Sequence, residues 1–325
     1  MNRINYVYIL GASHSGSTLL TLLLNAHPSI ATVGEIAPGG LPEPDNYFCS
    51  CGSAITRCPF WNAIYLQARA RNIRYAFDDF GTRFRLPESR LGDWLLQPLH
   101  RGRVLEFIRD AGLACLTPWP KRFEEIKLAN TTLTELIMSY YKAHVFVDKG
   151  NLALRLKYLS QIPSYEIRTI QMVRDGRAVA LTYTDASRYA DAANPQLRGG
   201  GCGAAAREEK LSMGQAAYQW RCCNEEIENV LATRRPSSNI LISYEELCYQ
   251  TKETLGRIFT FIGIRTDLAL DDFRSAEHHI VGNGMRLDKG SEIQVDERWK
   301  SSLGKEQLAI FEKIGGTMNR RYGYQ

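Results

Sequence analysis

The sequence predicts an α/β fold, a three-layer sandwich with a central parallel sheet and a helical insertion. Three observations carry this. Short β-branched and aromatic runs alternate with amphipathic helical patterns, first near the N-terminus and again from residue 144 onward. A helical pattern follows each run and is long enough to cross back over a sheet, which parallel pairing requires. Between the two blocks, residues 45–143 are aromatic and Arg-rich and lack any strand rhythm.

The first strand is residues 5–11, ending in Gly11, and a helix over Ser17–His27 follows it, stopped by Pro28. "SIATV" is a second short strand, leading into the loop "APGGLPEPD". The 45–143 stretch reads as short helices covering one face of the sheet. The rhythm then returns with "HVFVDKG" as strand, "NLALRLKYLSQI" as helix, "EIRTIQMV" as strand and "RDGRAVALTYTDASRYA" as loop and helix. "NPQLRGGGCGAAA" is a Gly-rich surface loop with the character of a lid. A long helix is expected over 207–233, a strand at "SNILISY", one helix over "EELCYQTKETLGRIFTFIG", and a last helix near 304–321. In such a sheet, ligands sit beyond the carboxyl ends of the strands. The loops after Leu10, Val147, Val173 and Ser243 should therefore surround one site.

A chain of 325 residues with 44% hydrophobic content can bury a full core, and a single domain spanning 1–325 is expected. The net charge of +5 suits an anionic small molecule and is too weak to argue for nucleic acid. No signal-like segment precedes the first strand, and no run of about 18 apolar residues exists. The reading is a soluble, cytoplasmic protein. The eight cysteines do not make a disulfide scaffold. Three cluster in "CSCGSAITRCPFW", as Cys49, Cys51 and Cys58. Their Cys-x-Cys spacing matches the usual zinc pattern poorly and no fourth ligand is near in sequence, so they read as reduced thiols rather than a metal site.

Gly11-Ala12-Ser13-His14-Ser15-Gly16-Ser17-Thr18 has the glycine spacing of a P-loop. Its amides and the following helix N-terminus form an anion nest. A nucleotide-hydrolysing loop would carry lysine where this chain has Ser17, and no aspartate stands out as a magnesium partner. Such a loop holds a phosphate but is poorly equipped to transfer one. Taken alone it is equally a tight strand-to-helix turn. In "IQMVRDGRAVALTYT", Arg174 leaves the end of an interior strand, and its planar fork suits a phosphate. Taken alone it is also a partner for a surface pair with Asp175 or Arg177.

Together the two segments resemble the sulfotransferases that use 3′-phosphoadenosine 5′-phosphosulfate (PAPS), most closely the protein-tyrosine and related carbohydrate-type branch. "HSGSTLLTLLLNAHPSIATVGE", "VRDGRA", "VDKGN", "ISYEEL" and "GNGMR…W" match family-like segments in order. The resemblance covers about residues 1–36 and 144–325 and leaves the insertion unplaced. It implies a P-loop-like sandwich and transfer of a sulfonyl group to the hydroxyl of a small-molecule, carbohydrate or peptide acceptor, with no metal required, since amides and cations hold the phosphate charge. Ser13, His14, Ser15, Gly16, Ser17 and Thr18 would hold the 5′-phosphate. Arg174 and Thr182, eight residues on where serine is usual, would hold the 3′-phosphate. His14 stands where the family carries arginine or lysine and would serve the bridging oxygen.

Lys149 resembles a lysine that assists transfer, with pairing to Asp148 as the alternative. Glu35, 21 residues after His14, is the expected base. Arg286 and Lys289 are candidates for phosphate contacts and Trp299 for packing that orders their segment, or all three belong to a solvated loop. Tyr244 packs by the nucleotide or simply begins a helix. His27, His144, His278 and His279 read as structural or packed residues. Acceptor choice should lie in 45–143 and 190–206, where Tyr47, Phe48, Trp61, Trp94 and Trp119 offer stacking faces or core packing. Two other readings compete: a P-loop kinase or ATPase, against which Ser17 argues, and a catalytically weak nucleotide-binding protein, which His14 favours.

Overall fold

In the computed structural model, which describes residues 3–38, 41, 43–97, 102–189, 210–266 and 273–325, the first strand is β1 (Ile4–Gly11). Its side chains alternate between two cores: Tyr6, Tyr8 and Leu10 enter one and Val7 and Ile9 the other, all at 0% exposure. A strand buried on both faces belongs at the centre of a parallel sheet. The sheet is completed by β2 (Ile30–Thr32), β3 (Val145–Asp148), β4 (Tyr165–Val173) and β5 (Asn239–Ser243). All pairings are parallel and the order is β2-β3-β1-β4-β5. The order reverses beside β1, so the crevice lies at the carboxyl ends of β1, β3 and β4.

The helices in chain order are α1 (Ser17–Asn25), α2 (Pro59–Ala70), α3 (Arg90–Leu95), α4 (Gly102–Ala114), α5 (Pro118–Tyr141), α6 (Ala153–Leu159), α7 (Gly176–Thr184), α8 (Ala186–Tyr189), α9 (Met213–Leu231), α10 (Tyr244–Tyr249), α11 (Thr251–Ile262), α12 (Trp299–Ser302) and α13 (Lys305–Arg321). One face of the sheet is covered by α1 and α11 through Leu20, Leu23, Ile258 and Ile262. The other is covered by α2, α5, α6 and α9 through Ile64, Ile137, Leu156 and Ile227. This is the expected three-layer sandwich, and the insertion is helical and covers one face, α5 lying against β2 and β3.

The insertion is latched to the sheet by a buried ion. Arg155 of α6 donates to Asp148 at 3.1 Å, to the Thr82 carbonyl at 2.9 Å and to Asn130 of α5 at 2.7 Å. Tyr6 adds its hydroxyl to the same carboxylate at 2.8 Å. A buried charge is tolerable only when satisfied in this way.

Two boundaries differ from expectation. The single helix over 245–263 is two helices, because Gln250 leaves the helical conformation at φ −131 and ψ 50. A capping box of Ser243 and Glu246 starts the first of them. The helix expected from 207 begins at Met213, where Ser212 and Gln215 form another capping box. The Gly-rich loop at 190–206 lies outside the described residues. Among the described residues, no helix is long and apolar enough to cross a membrane.

Candidate active site

The β1–α1 loop is shaped by two residues with positive φ, His14 at 68° and Gly16 at 86°. Gly16 is required twice over. Its backbone is left-handed, and a Cβ there would lie 2.5 Å from the Tyr244 ring. No side chain caps α1, so its first amides are left to face the crevice. The Ser15 hydroxyl is buried and has no hydrogen-bond partner among the described residues. Such an orphan at a helix N-terminus fits a bound anion. Ser17 and Thr18 are buried, Ser13 is exposed, and the half-buried His14 ring meets Tyr183 edge-on at 5.9 Å.

Arg174, at the end of β4, is 1% exposed and joins this loop directly. One guanidinium nitrogen donates to the His14 carbonyl at 2.9 Å, and the other to the Asp296 carboxylate at 2.8 Å. The plane lies over Tyr244, 4.4 Å from the ring centroid. The surface-pair alternative is excluded, because Asp175 takes Arg177 instead, at 2.6 Å. Burial pushes the Asp296 carboxyl up, but hydrogen bonds from Arg298 and the charge of Arg174 overcome this and hold it well below the usual carboxylate range. Thr182 faces into α7, its hydroxyl 3.2 Å from the Ala178 carbonyl and 3.3 Å from that of Tyr189.

Glu35 and Lys149, which sequence reasoning treats separately, form one unit. Lys149 Nζ donates to Glu35 Oε1 at 2.9 Å, with the lysine 4% exposed. The backbone places both: Lys149 N donates to the Gly34 carbonyl at 2.9 Å, and Glu35 N to that of Val281 at 3.3 Å. Pairing of Lys149 with its neighbour is ruled out, since Asp148 points into the Arg155 latch on the other side of the strand. Gly282 closes over the pair. A Cβ on it would sit 3.1 Å from Glu35 Oε1 and 3.3 Å from Lys149 Nζ.

A family model described as the sulfotransferase domain matches residues 154–316, half of the chain. The chain belongs to the sulfotransferase family. The match takes in Arg174 and begins after the phosphate loop, Glu35 and Lys149. Among solved structures, this sulfotransferase is similar to sulfotransferase STF9 from Mycobacterium avium, at 12% identity and a TM-score of 0.50, over 100% of this chain and 78% of that one. It also aligns with the sulfotransferase domain of the Synechococcus PCC 7002 olefin synthase at 16% identity and a TM-score of 0.46, over 96% and 95% of the two chains. A sulfotransferase domain from the curacin biosynthetic pathway aligns at 14% identity and 0.47, over 100% and 99%. No curated protein matches by sequence.

In this sulfotransferase, Tyr244 begins a helix, one of the two expectations for it, and also joins the β1–α1 loop to Arg174. It is the first residue of α10, and its ring packs on Gly16 and Arg174 while its hydroxyl accepts from Asp296 N at 3.1 Å. Trp299 packs under the Arg177 guanidinium at 4.0 Å. Arg286 is 3% exposed and ties two segments together, donating to Phe48 O at 2.9 Å and Gly282 O at 2.7 Å above the Tyr47 ring. Lys289 lines a cleft with Arg274, Arg286 and Cys51.

His27 is structural as expected, accepting from Ser29 N at 3.0 Å and bonding Arg265 O at 3.1 Å. His278 is buried between Asn25 and the Phe273 carbonyl. His144 is exposed rather than packed. Of the aromatic candidates for acceptor binding, Trp61 and Trp119 are core, while Phe48 and Trp94 are exposed.

The thiols correct the sequence reading in one respect: a fourth donor is close, and it is His279. The Cys49, Cys51, Cys58 and His279 donor atoms lie within 4.8 Å of one another. The bond with Cys49, joined by the imidazole, lowers the Cys58 thiol against the push of burial. Burial pushes His279 down, but its bonds with Cys58 and Glu277 raise it to about 9. Cys58 and His279 are 221 residues apart, so no spacing rule links them.

Proposed function

We propose that the chain transfers a sulfonyl group from PAPS to a hydroxyl of an organic acceptor, with Glu35 as the base. The observation that carries this is the direct bond between Arg174 and the His14 carbonyl, which makes the lysine-free phosphate loop and the strand-end arginine one anion-binding unit. The buried, unpartnered Ser15 hydroxyl and the uncapped start of α1 supply the fit for a phosphate within it. When bound, PAPS would supply the sulfonyl group and a phosphate leaving group.

Ser15, Ser17, Thr18 and the amides of Gly16 onward would hold the 5′-phosphate, and His14 would hydrogen-bond beside the bridging oxygen. Arg174 would exchange the Asp296 carboxylate for the 3′-phosphate, an anion that takes the same contact. Glu35 would accept the acceptor proton. Lys149 positions that carboxylate through its 2.9 Å bond and offers positive charge to the transferred oxygens. The acceptor class, whether small molecule, carbohydrate or peptide, would be read by the insertion, where the exposed Phe48 and Trp94 present stacking faces.

Calorimetric titration with the desulfonated donor, 3′-phosphoadenosine 5′-phosphate (PAP), tests the reading on wild type and Arg174→Ala. Micromolar binding lost in the variant is expected. No binding of PAP alongside binding of ATP with magnesium would overturn it in favour of a kinase.

A further inference from the structure

We propose that Cys49, Cys51, Cys58 and His279 form a structural zinc site that pins the C-terminal segment 277–286 against Glu35 and Lys149. Three thiolates and one imidazole are a donor set suited to Zn²⁺, which takes four such ligands tetrahedrally when its role is structural. A regular site with Zn–S near 2.3 Å and Zn–N near 2.0 Å has S···S edges of about 3.8 Å and S···N edges of about 3.5 Å. The chain already holds Cys51 and Cys58 sulfurs 3.7 Å apart, and His279 Nδ1 lies 3.3 Å from Cys58 and 3.8 Å from Cys49. The sulfur separation is far beyond the roughly 2.05 Å of a disulfide, and these cysteines are free.

The surroundings are those of a built site. His279 Nε2 lies 2.7 Å from Glu277 Oε1, so a carboxylate holds that proton and Nδ1 is turned toward the sulfurs. Metal-bound histidines carry this same outer partner. The ring stacks on Phe60 at 4.6 Å with planes 1° apart, which fixes its direction. Backbone bonds from Cys49 N to Ser53 O and from Gly52 N to Cys49 O, both 2.9 Å, fold the loop so that three sulfurs converge. Cys49, Cys58 and His279 are buried, and Cys51 stands at the exposed edge where an ion enters. Binding would displace the remaining thiol and imidazole protons to solvent.

The consequence reaches the active site through the backbone. Two residues after His279, Val281 N donates to Val33 O at 2.8 Å and its carbonyl accepts from Glu35 N. Gly282 then covers the Glu35–Lys149 pair.

The test is metal content and zinc titration of the full chain, purified under reducing conditions, with cobalt substitution as a spectroscopic readout. One zinc per chain and the intense visible bands of tetrahedral cobalt thiolate are expected. Cys51→Ser, at the exposed edge, and His279→Gln should each weaken zinc binding by more than about 100-fold, and Glu277→Gln by roughly 10- to 100-fold. Removing zinc should lower the melting temperature of wild type and leave that of Cys51→Ser unchanged. Reduced wild type that takes up neither zinc nor cobalt, or variants that bind like wild type, would overturn the proposal. None of these readouts depends on donor or acceptor.

Discussion

Replacing Glu35 by glutamine separates the proposed base from its role as partner of Lys149. The amide is isosteric, and its oxygen can still accept from Nζ at the present 2.9 Å. What disappears is the capacity to take a proton. Losing a positioned base is worth about 10²–10⁴ in rate, or roughly 2.7–5.5 kcal/mol of barrier. The same change leaves the Lys149 ammonium, 4% exposed, facing a neutral group. Breaking a fully buried pair costs about 3–5 kcal/mol. The Glu35 side chain retains 22% exposure and the hydrogen bond survives, so about 2 kcal/mol is expected. For a chain of this size that is on the order of 3 °C in Tm. The assay is PAP release with an acceptor drawn from a panel of phenols, sugars and tyrosyl peptides, run beside PAP titration and thermal melting. Glu35→Gln should lose at least about 100-fold in kcat with PAP affinity unchanged. A kcat within about tenfold of wild type would refute Glu35 as base. Loss of PAP binding would instead make it part of the donor site.

Two further outcomes rest on the neighbouring ions. Asp296→Asn frees Arg174 from a competing carboxylate, so PAP should bind up to about tenfold more tightly, a gain of about 1.4 kcal/mol; weaker binding by calorimetry would contradict the exchange. Because the folded state depresses this carboxyl, its stabilisation is present above the unfolded value near 3.9 and fades below it. The Tm gap between wild type and variant should therefore narrow as pH falls below about 4. Arg155→Met leaves Asp148, at 0% exposure, without its cation, and removes the donor to Asn130 and Thr82. Denaturant titration should show a loss of about 3–5 kcal/mol, and a loss under about 1 kcal/mol would mean that the latch is not a net stabiliser.

The readability of this chain follows the range of the interactions. The strand at Tyr6–Leu10 is visible because burial on both faces forces a continuous apolar run, and the phosphate loop because its turn demands Gly16. The break at Gln250 is hidden, since apolar spacing continues across it and only the local backbone departs. Arg286 shows its charge in the sequence but not its partners, which are carbonyls of Phe48 and Gly282. The Glu35–Lys149 contact spans 114 residues and depends on register, Ile30 opposite Val145 and Thr32 opposite Val147, that no local pattern encodes. What stayed illegible converges on segment 277–286. His279 meets the thiols, Val281 extends the edge beyond β2 by a parallel bridge to Gly34, Gly282 covers the ion pair, and the Tyr47 hydroxyl accepts from Gly282 N across 235 residues. Such bonds to distant chain leave no periodicity in the segment itself. It is also the segment through which a cation among the thiols would be felt at Glu35.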